Sequence, residues 1–499
     1  MDHRGCGGGG VGCGEWGVGA GSGVRVRLPS RCRGCAVETA RVPLTVPRRI
    51  VVLLAAAVVV PVVPSLAAAP TSTASVVRPL VASAPLPTGG LQALSATTRL
   101  VGVTWTAGNA AVDVRWHGAA GWSAWDDADD DSLAPDLAER AGTRRGTEPL
   151  WRPDGADLVQ LRVAGNATGL LLVTVADGTT QPGRTTAQAK SGRTLLGDVR
   201  SRADWGADES LRGEPSYADH VDAVVVHHTA QGNAYAQGDV PRLIRADYAY
   251  HVQARGWSDL GYNLVVDRFG GIWEGRAGGL GRATIGSHAQ GFNTGTVGVA
   301  LLGDMTEGAP TAAVIKAVAK VGAYAAATWR FDPQSTATLT SRGSPRYPSG
   351  QTVRLPRIFG HQDTGKTACP GALQDRLADI RRGAAVLLGP APGIRSVTVT
   401  GAPVRAPIPV VIRAELTESA PWSVAIRNEH GRVVRRTEGT SATAELQWHG
   451  FVAPDGTADA AAVLPAPQGT YTWAVEVDDG MHRPARRTGA IDVGAPGPL

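Results

Sequence analysis

The chain has 499 residues, enough for about two to four domains. Its formal charge of +5 sits entirely in residues 1–67, where eight arginines face only Asp2, Glu15 and Glu38. The remainder is balanced, so nothing in the charge supports a nucleic-acid partner.

Residues Ile50 to Val63 are apolar, follow Arg48 and Arg49, and precede Ser65-Leu66-Ala67-Ala68. A basic stretch, a short apolar run and small residues make an export signal, with cleavage expected after Ala67. The run is too short and too Pro-interrupted for a membrane span, so no stable membrane insertion is expected after cleavage. Residues 68–98 are rich in Pro, Ser, Thr and Ala and read as a linker. Residues 99–176 alternate in short runs such as Leu158-Val159-Gln160-Leu161-Arg162-Val163, which predicts a small β-sandwich. Residues 177–197 read as a second linker. Residues 198–388 mix periods. Strands are expected over Val221 to His228, Tyr262 to Asp267, Ile272 to Glu274, Thr296 to Leu302 and Leu355 to Phe359. Helices are expected over Val240 to Ala254, Thr311 to Trp329 and Ala372 to Leu388. After the break at residues 389–394, residues 395–499 alternate again as an immunoglobulin-like sandwich without its disulfide. The expected fold is a central α/β domain, a mixed sheet flanked by helices, between two small β-sandwich domains.

Four of the five cysteines (Cys6, Cys13, Cys32, Cys35) precede the apolar run, so the exported chain keeps only Cys369. A lone thiol there is inert and buried, reactive, or a metal ligand. His361 lies eight residues earlier, and His227-His228 ends the apolar run Val224-Val225-Val226. Side chains alternate along a strand, so one of that pair can face a shared site. Imidazole and thiolate are good zinc donors, and three protein ligands leave the fourth position open, as in catalytic zinc sites. A structural cysteine with a core histidine is the plainer alternative. Two other signals carry less: Cys32-Arg33-Gly34-Cys35 lacks a second pair, and the acidic run Asp126 to Asp131 lacks the spacing of a calcium loop.

Four segments in order resemble the type 2 N-acetylmuramoyl-L-alanine amidases, a group that includes peptidoglycan recognition proteins. They are Val226-His227-His228-Thr229, Gly256 to Asn263, Gly286-Ser287-His288-Ala289-Gln290-Gly291-Phe292-Asn293, and His361 through Cys369-Pro370-Gly371. Arg202-Ala203-Asp204-Trp205-Gly206-Ala207 also looks like the start of a recognition domain. The resemblance covers about residues 200–388 and implies a mixed sheet with a peptidoglycan groove on one face. It implies Zn2+ held by His227, His361 and Cys369. Tyr262 would stand beside the attacking water or the developing oxyanion, and Thr367 at a second catalytic position. His251, Trp257, His288 and Asn293 are candidates for the groove. The expected activity is hydrolysis of the amide between N-acetylmuramic acid and L-alanine by a secreted, wall-associated monomer. The alternative is a non-catalytic peptidoglycan-binding protein; members that only bind often lack the cysteine, which this chain keeps.

Overall fold

The computed structural model describes residues 71–128, 134–136, 142–186, 195–306, 308–406, 408–453 and 464–495. The expected export signal, the four early cysteines and residues 129–131 of the acidic run lie outside the described residues. Among those described, no helix is long and apolar enough to cross a membrane.

The centre is a six-stranded mixed sheet in the order 199–200, 272–274, 264–266, 296–301, 223–228, 358–360. Ala223–His228 is parallel to both neighbours, Thr296–Leu301 and Ile358–Gly360. Its valines are β-branched and buried on both faces, the pattern of an interior parallel strand. Val224 and Val226 pack against helices α2 (Ala312–Trp329) and α3 (Leu377–Leu388) on one face. Ala223 and Val225 face the other way, toward Phe292 and Phe359. Helix α1 (Val240–Ala249) covers that second face further along, with Leu243, Ile244 and Tyr248 packed on Trp205, Val265 and Trp273.

The side chains explain the packing. Thr311 caps α2, its Oγ1 accepting from the Val314 N–H at 3.2 Å. Alanines and Gly322 then line its buried face. A methyl at Gly322 would lie 2.6 Å from Ile358 Cδ1, so glycine lets α2 approach the sheet closely. Helix α1 runs on into a π turn, Tyr250–Ala254, which carries His251.

Two linker expectations fail. Thr71–Pro85 is a strand paired along its length with Leu171–Thr186, so residues 71–85 and 177–186 belong to the first β-domain. Proline, serine and threonine mislead there because they occupy a sheet edge, where an unpaired N–H is tolerated. The first β-domain comprises two five-stranded antiparallel sheets around Val101, Val103, Trp105, Val112 and Val159. The hairpin Thr336–Thr340/Thr352–Pro356 was also not anticipated. Residues 371–376 form a 3-10 turn rather than the first part of the last helix. In the C-terminal region, the long strands Val410–Arg427 and Val433–Trp448 bend so that both halves of the first, Ile412 to Leu416 and Val424 to Ile426, meet in one core.

Candidate metal centre

His227 is the fifth residue of its strand and shares the face of Ala223 and Val225, away from α2 and α3. His228 points to the opposite face. There its Nδ1 accepts from the Met305 N–H at 3.0 Å and lies 3.5 Å from Asp304. Alternation along one strand thus separates the two histidines. The neighbouring strand pairs Val226 with Gly360, so His361 follows at the next register position and its ring lies 4.6 Å from that of His227.

Cys369 returns to the same strand ends. Its carbonyl accepts from Gln362 N–H at 2.8 Å, and its N–H donates to Thr367 Oγ1 at 3.0 Å. Its Sγ accepts from the His228 N–H at 3.3 Å and lies 3.7 Å from His227 Nδ1. A backbone N–H aimed at sulfur suits a thiolate.

One donor atom from each of His227, His361 and Cys369 lies within 4.8 Å of the others, all buried. Tetrahedral zinc with ordinary bond lengths separates its ligand atoms by about 3.3–3.6 Å. The donor set therefore fits zinc in both chemistry and spacing, with modest closing. Burial first, then His361, His288 and His228, hold the His227 imidazole well below its ordinary value, so the ring is neutral and offers a lone pair.

His288 backs the site. Its Nδ1 is 3.1 Å from His227 Nε2, while His227 Nδ1 faces the cysteine. This is the arrangement in which one ring nitrogen binds metal and the other is fixed by a hydrogen bond. Burial, then His361 and Arg276, push His288 down to about 3. Its loop is held by Asn293, whose Oδ1 accepts from the N–H groups of His288 (2.7 Å) and Ala289 (2.9 Å).

Tyr262 sits 5.5 Å from His227, ring to ring. Burial, then Glu148, Cys369 and Asp247, raise its phenol well above the ordinary value, so it stays a hydrogen-bond donor at neutral pH. Thr367 lies in the cysteine loop. His251 stacks on Trp257 at 4.4 Å and 15° and accepts weakly from Gly261 N–H at 3.4 Å. Its Nε2 has no hydrogen-bond partner among the described residues. Among the expected site residues, His361, Cys369, Tyr262 and His288 cluster on His227, His251 and Trp257 stack beside Tyr262, and Asn293 lies one hydrogen bond behind His288. All of these are buried, while Thr367 in the cysteine loop is half-buried.

Three acids near this site were not anticipated. Asp247 is fully buried on α1, four residues before His251, and burial raises its carboxyl well above the usual range. That helical spacing was a readable signal. Glu148 and Asp136 come from the first β-domain, and no local pattern connects them to residues more than a hundred positions away.

Residues 217–372 match the family described as N-acetylmuramoyl-L-alanine amidase. Residues 64–191 match one described as Rv3811 N-terminal galactose-binding domain-like. Peptidoglycan-recognition protein SC2 of Drosophila melanogaster is 29% identical over 185 residues, covering 37% of this chain and 84% of that protein. Peptidoglycan-recognition protein 1 of Holotrichia diomphalia is 30% identical over 129 residues, covering 26% of this chain and 62% of that protein. The solved structure of Drosophila PGRP-LB is 25% identical, covers 36% of this chain and 92% of that one, and aligns with a TM-score of 0.29.

Proposed function

The central domain belongs to the N-acetylmuramoyl-L-alanine amidase and peptidoglycan-recognition family, and from that premise we propose that this protein is an exported, zinc-dependent amidase. Its substrate is the amide between the lactyl group of N-acetylmuramic acid and L-alanine in peptidoglycan. The observation that carries the reading is the convergence of His227, His361 and Cys369, a donor set suited to a catalytic ion.

Zinc held there supplies a Lewis acid and brings the pKa of a water toward roughly 7. The protein's own groups do the rest. His288 fixes the orientation and tautomer of His227. Tyr262, kept protonated by its surroundings, donates to the oxygen that gains charge as the carbonyl is attacked. The dry walls formed by His251 and Trp257 strengthen both interactions by excluding water.

A second reading, binding without turnover, is favoured by the relatives named as recognition proteins. One experiment separates the two. Purified cell wall is incubated with the protein, with and without chelator, and new L-alanine amino termini are counted. Release that needs zinc and is lost in Cys369→Ser supports the amidase. Wall binding with no release at any zinc concentration leaves the binding reading.

A further inference from the structure

The loop that carries His288 also grips the first β-domain. Asp136 Oδ1 accepts from Gly291 N–H at 2.8 Å, Asn293 Nδ2 at 2.7 Å and, more weakly, Asn293 N–H at 3.4 Å. Its Oδ2 accepts from Thr294 N–H at 3.2 Å and Thr294 Oγ1 at 3.1 Å. Arg342 Nε lies 3.9 Å away, and the Asp136 side chain is only 7% exposed. The Ala134 carbonyl accepts from Asn293 Nδ2 at 2.8 Å. One carboxylate thus collects five donors from three residues of one loop, Gly291, Asn293 and Thr294, an anion-binding concavity of backbone and short polar groups.

Two features separate this contact from ordinary domain docking. The β-domain is already attached through a dry seam, where Leu100, Val173 and Val175 meet Ala246, Ala249, Tyr250 and Ala254. Asp136 adds nothing to that seam. It falls instead on the loop whose Asn293 holds the backbone of His288, the partner of metal-site His227. A hydrolase must admit substrate, yet His227, His361, Cys369 and Tyr262 are each at most 2% exposed.

We propose that the 291–294 loop, linked to the metal centre through His288, is a carboxylate-binding subsite, and that Asp136 fills it as an intramolecular pseudo-substrate. The ligand class is a peptide carboxylate, which the stem peptides of peptidoglycan supply; this assignment rests on the peptidoglycan reading above. A tethered carboxylate competes at an effective concentration of the order of millimolar. Stray soluble carboxylates then leave the site shut, while a wall crowded with stem peptides displaces Asp136.

The test uses the full chain carrying Asp136→Ala or Asp136→Asn. Two readouts avoid turnover: the rate at which Cys369 is alkylated in metal-free protein, followed by peptide mass spectrometry, and calorimetric binding of a soluble muramyl peptide with a free carboxylate. Losing the charged acceptor should raise both by about tenfold or more in the alanine variant, with the asparagine variant between it and the parent. A purely structural Asp136 predicts unchanged or weaker peptide binding, and that result overturns the proposal. If Asp136→Ala does not fold, Asp136→Asn carries the same two readouts. If both readouts rise while no variant releases L-alanine termini, the pseudo-substrate stands and the amidase reading alone fails.

Discussion

His251 shows how one buried side chain ties the site to solution conditions. Burial, then Arg255 and Arg276, hold its imidazole well below the ordinary 6.5. The folded state therefore resists protonating it, while the unfolded chain takes up the proton below about pH 6.5. The stability this group allows is present above that pH and is lost as pH falls, at up to about 1.4 kcal/mol per pH unit. His251→Phe removes the group and keeps a ring against Trp257. Urea unfolding of metal-free protein should show the variant gaining on the parent between pH 7 and pH 5. A stability gap independent of pH would contradict the depressed value.

Strand Thr296–Leu301 illustrates a choice made at the level of the element. Gly298 has no side chain because His288 occupies that space: a methyl there would lie 2.3 Å from His288 Cγ. A strand interior normally disfavours glycine, so its presence marks close approach by a neighbour. Gly298→Ala should cost about 1–3 kcal/mol by overpacking and displace His288 from His227. Zinc affinity should then fall by about 10–100-fold, the range for a lost outer-sphere partner. Competition with a chromophoric chelator reads the affinity, and unfolding reads the stability. Destabilisation with unchanged zinc affinity would show that His288 does not tune the site.

At the scale of the whole molecule, the first β-domain and the central domain share a core. Tyr250 is fully buried, donates its hydroxyl to Thr147 O at 2.9 Å, and fits against Gly102, where a methyl would lie 2.2 Å from its oxygen. Arg255 reaches across to the carbonyls of Arg144 (3.1 Å) and Thr147 (3.0 Å). Arg78 pairs with Asp208 through its Nε at 2.8 Å. An independently stable fragment 198–388, natural to expect if residues 177–197 were a linker, would expose the apolar face of α1. Tyr250→Ala should cost about 3–5 kcal/mol, measured by urea unfolding, and should make the seam susceptible to limited proteolysis. A loss under about 1 kcal/mol would show that the seam contributes little. The C-terminal region differs. Polar contacts tie it to the centre, Arg330 to Asp478 at 2.9 Å and His482 to the Gly389 carbonyl at 3.2 Å.

The cluster of His227, His361 and Cys369 was readable because it depends on residue type and on strand ends: a lone cysteine, a histidine eight residues before it, and a pair at the end of a valine run. The central elements were readable because their periods are local, and Thr311 and the alanines of α2 announce themselves. Alternation showed that only one histidine of the pair could serve, the family resemblance pointed to His227, and the tertiary structure turns that side chain toward His361 and Cys369. It alone decided what covers the site. Periodicity says which face of an element is buried, but not which distant segment buries it. Asp136 and Asn293 are 157 positions apart. Proline- and serine-rich stretches became sheet edges because a partner strand supplied the hydrogen bonds, and no local composition records a partner.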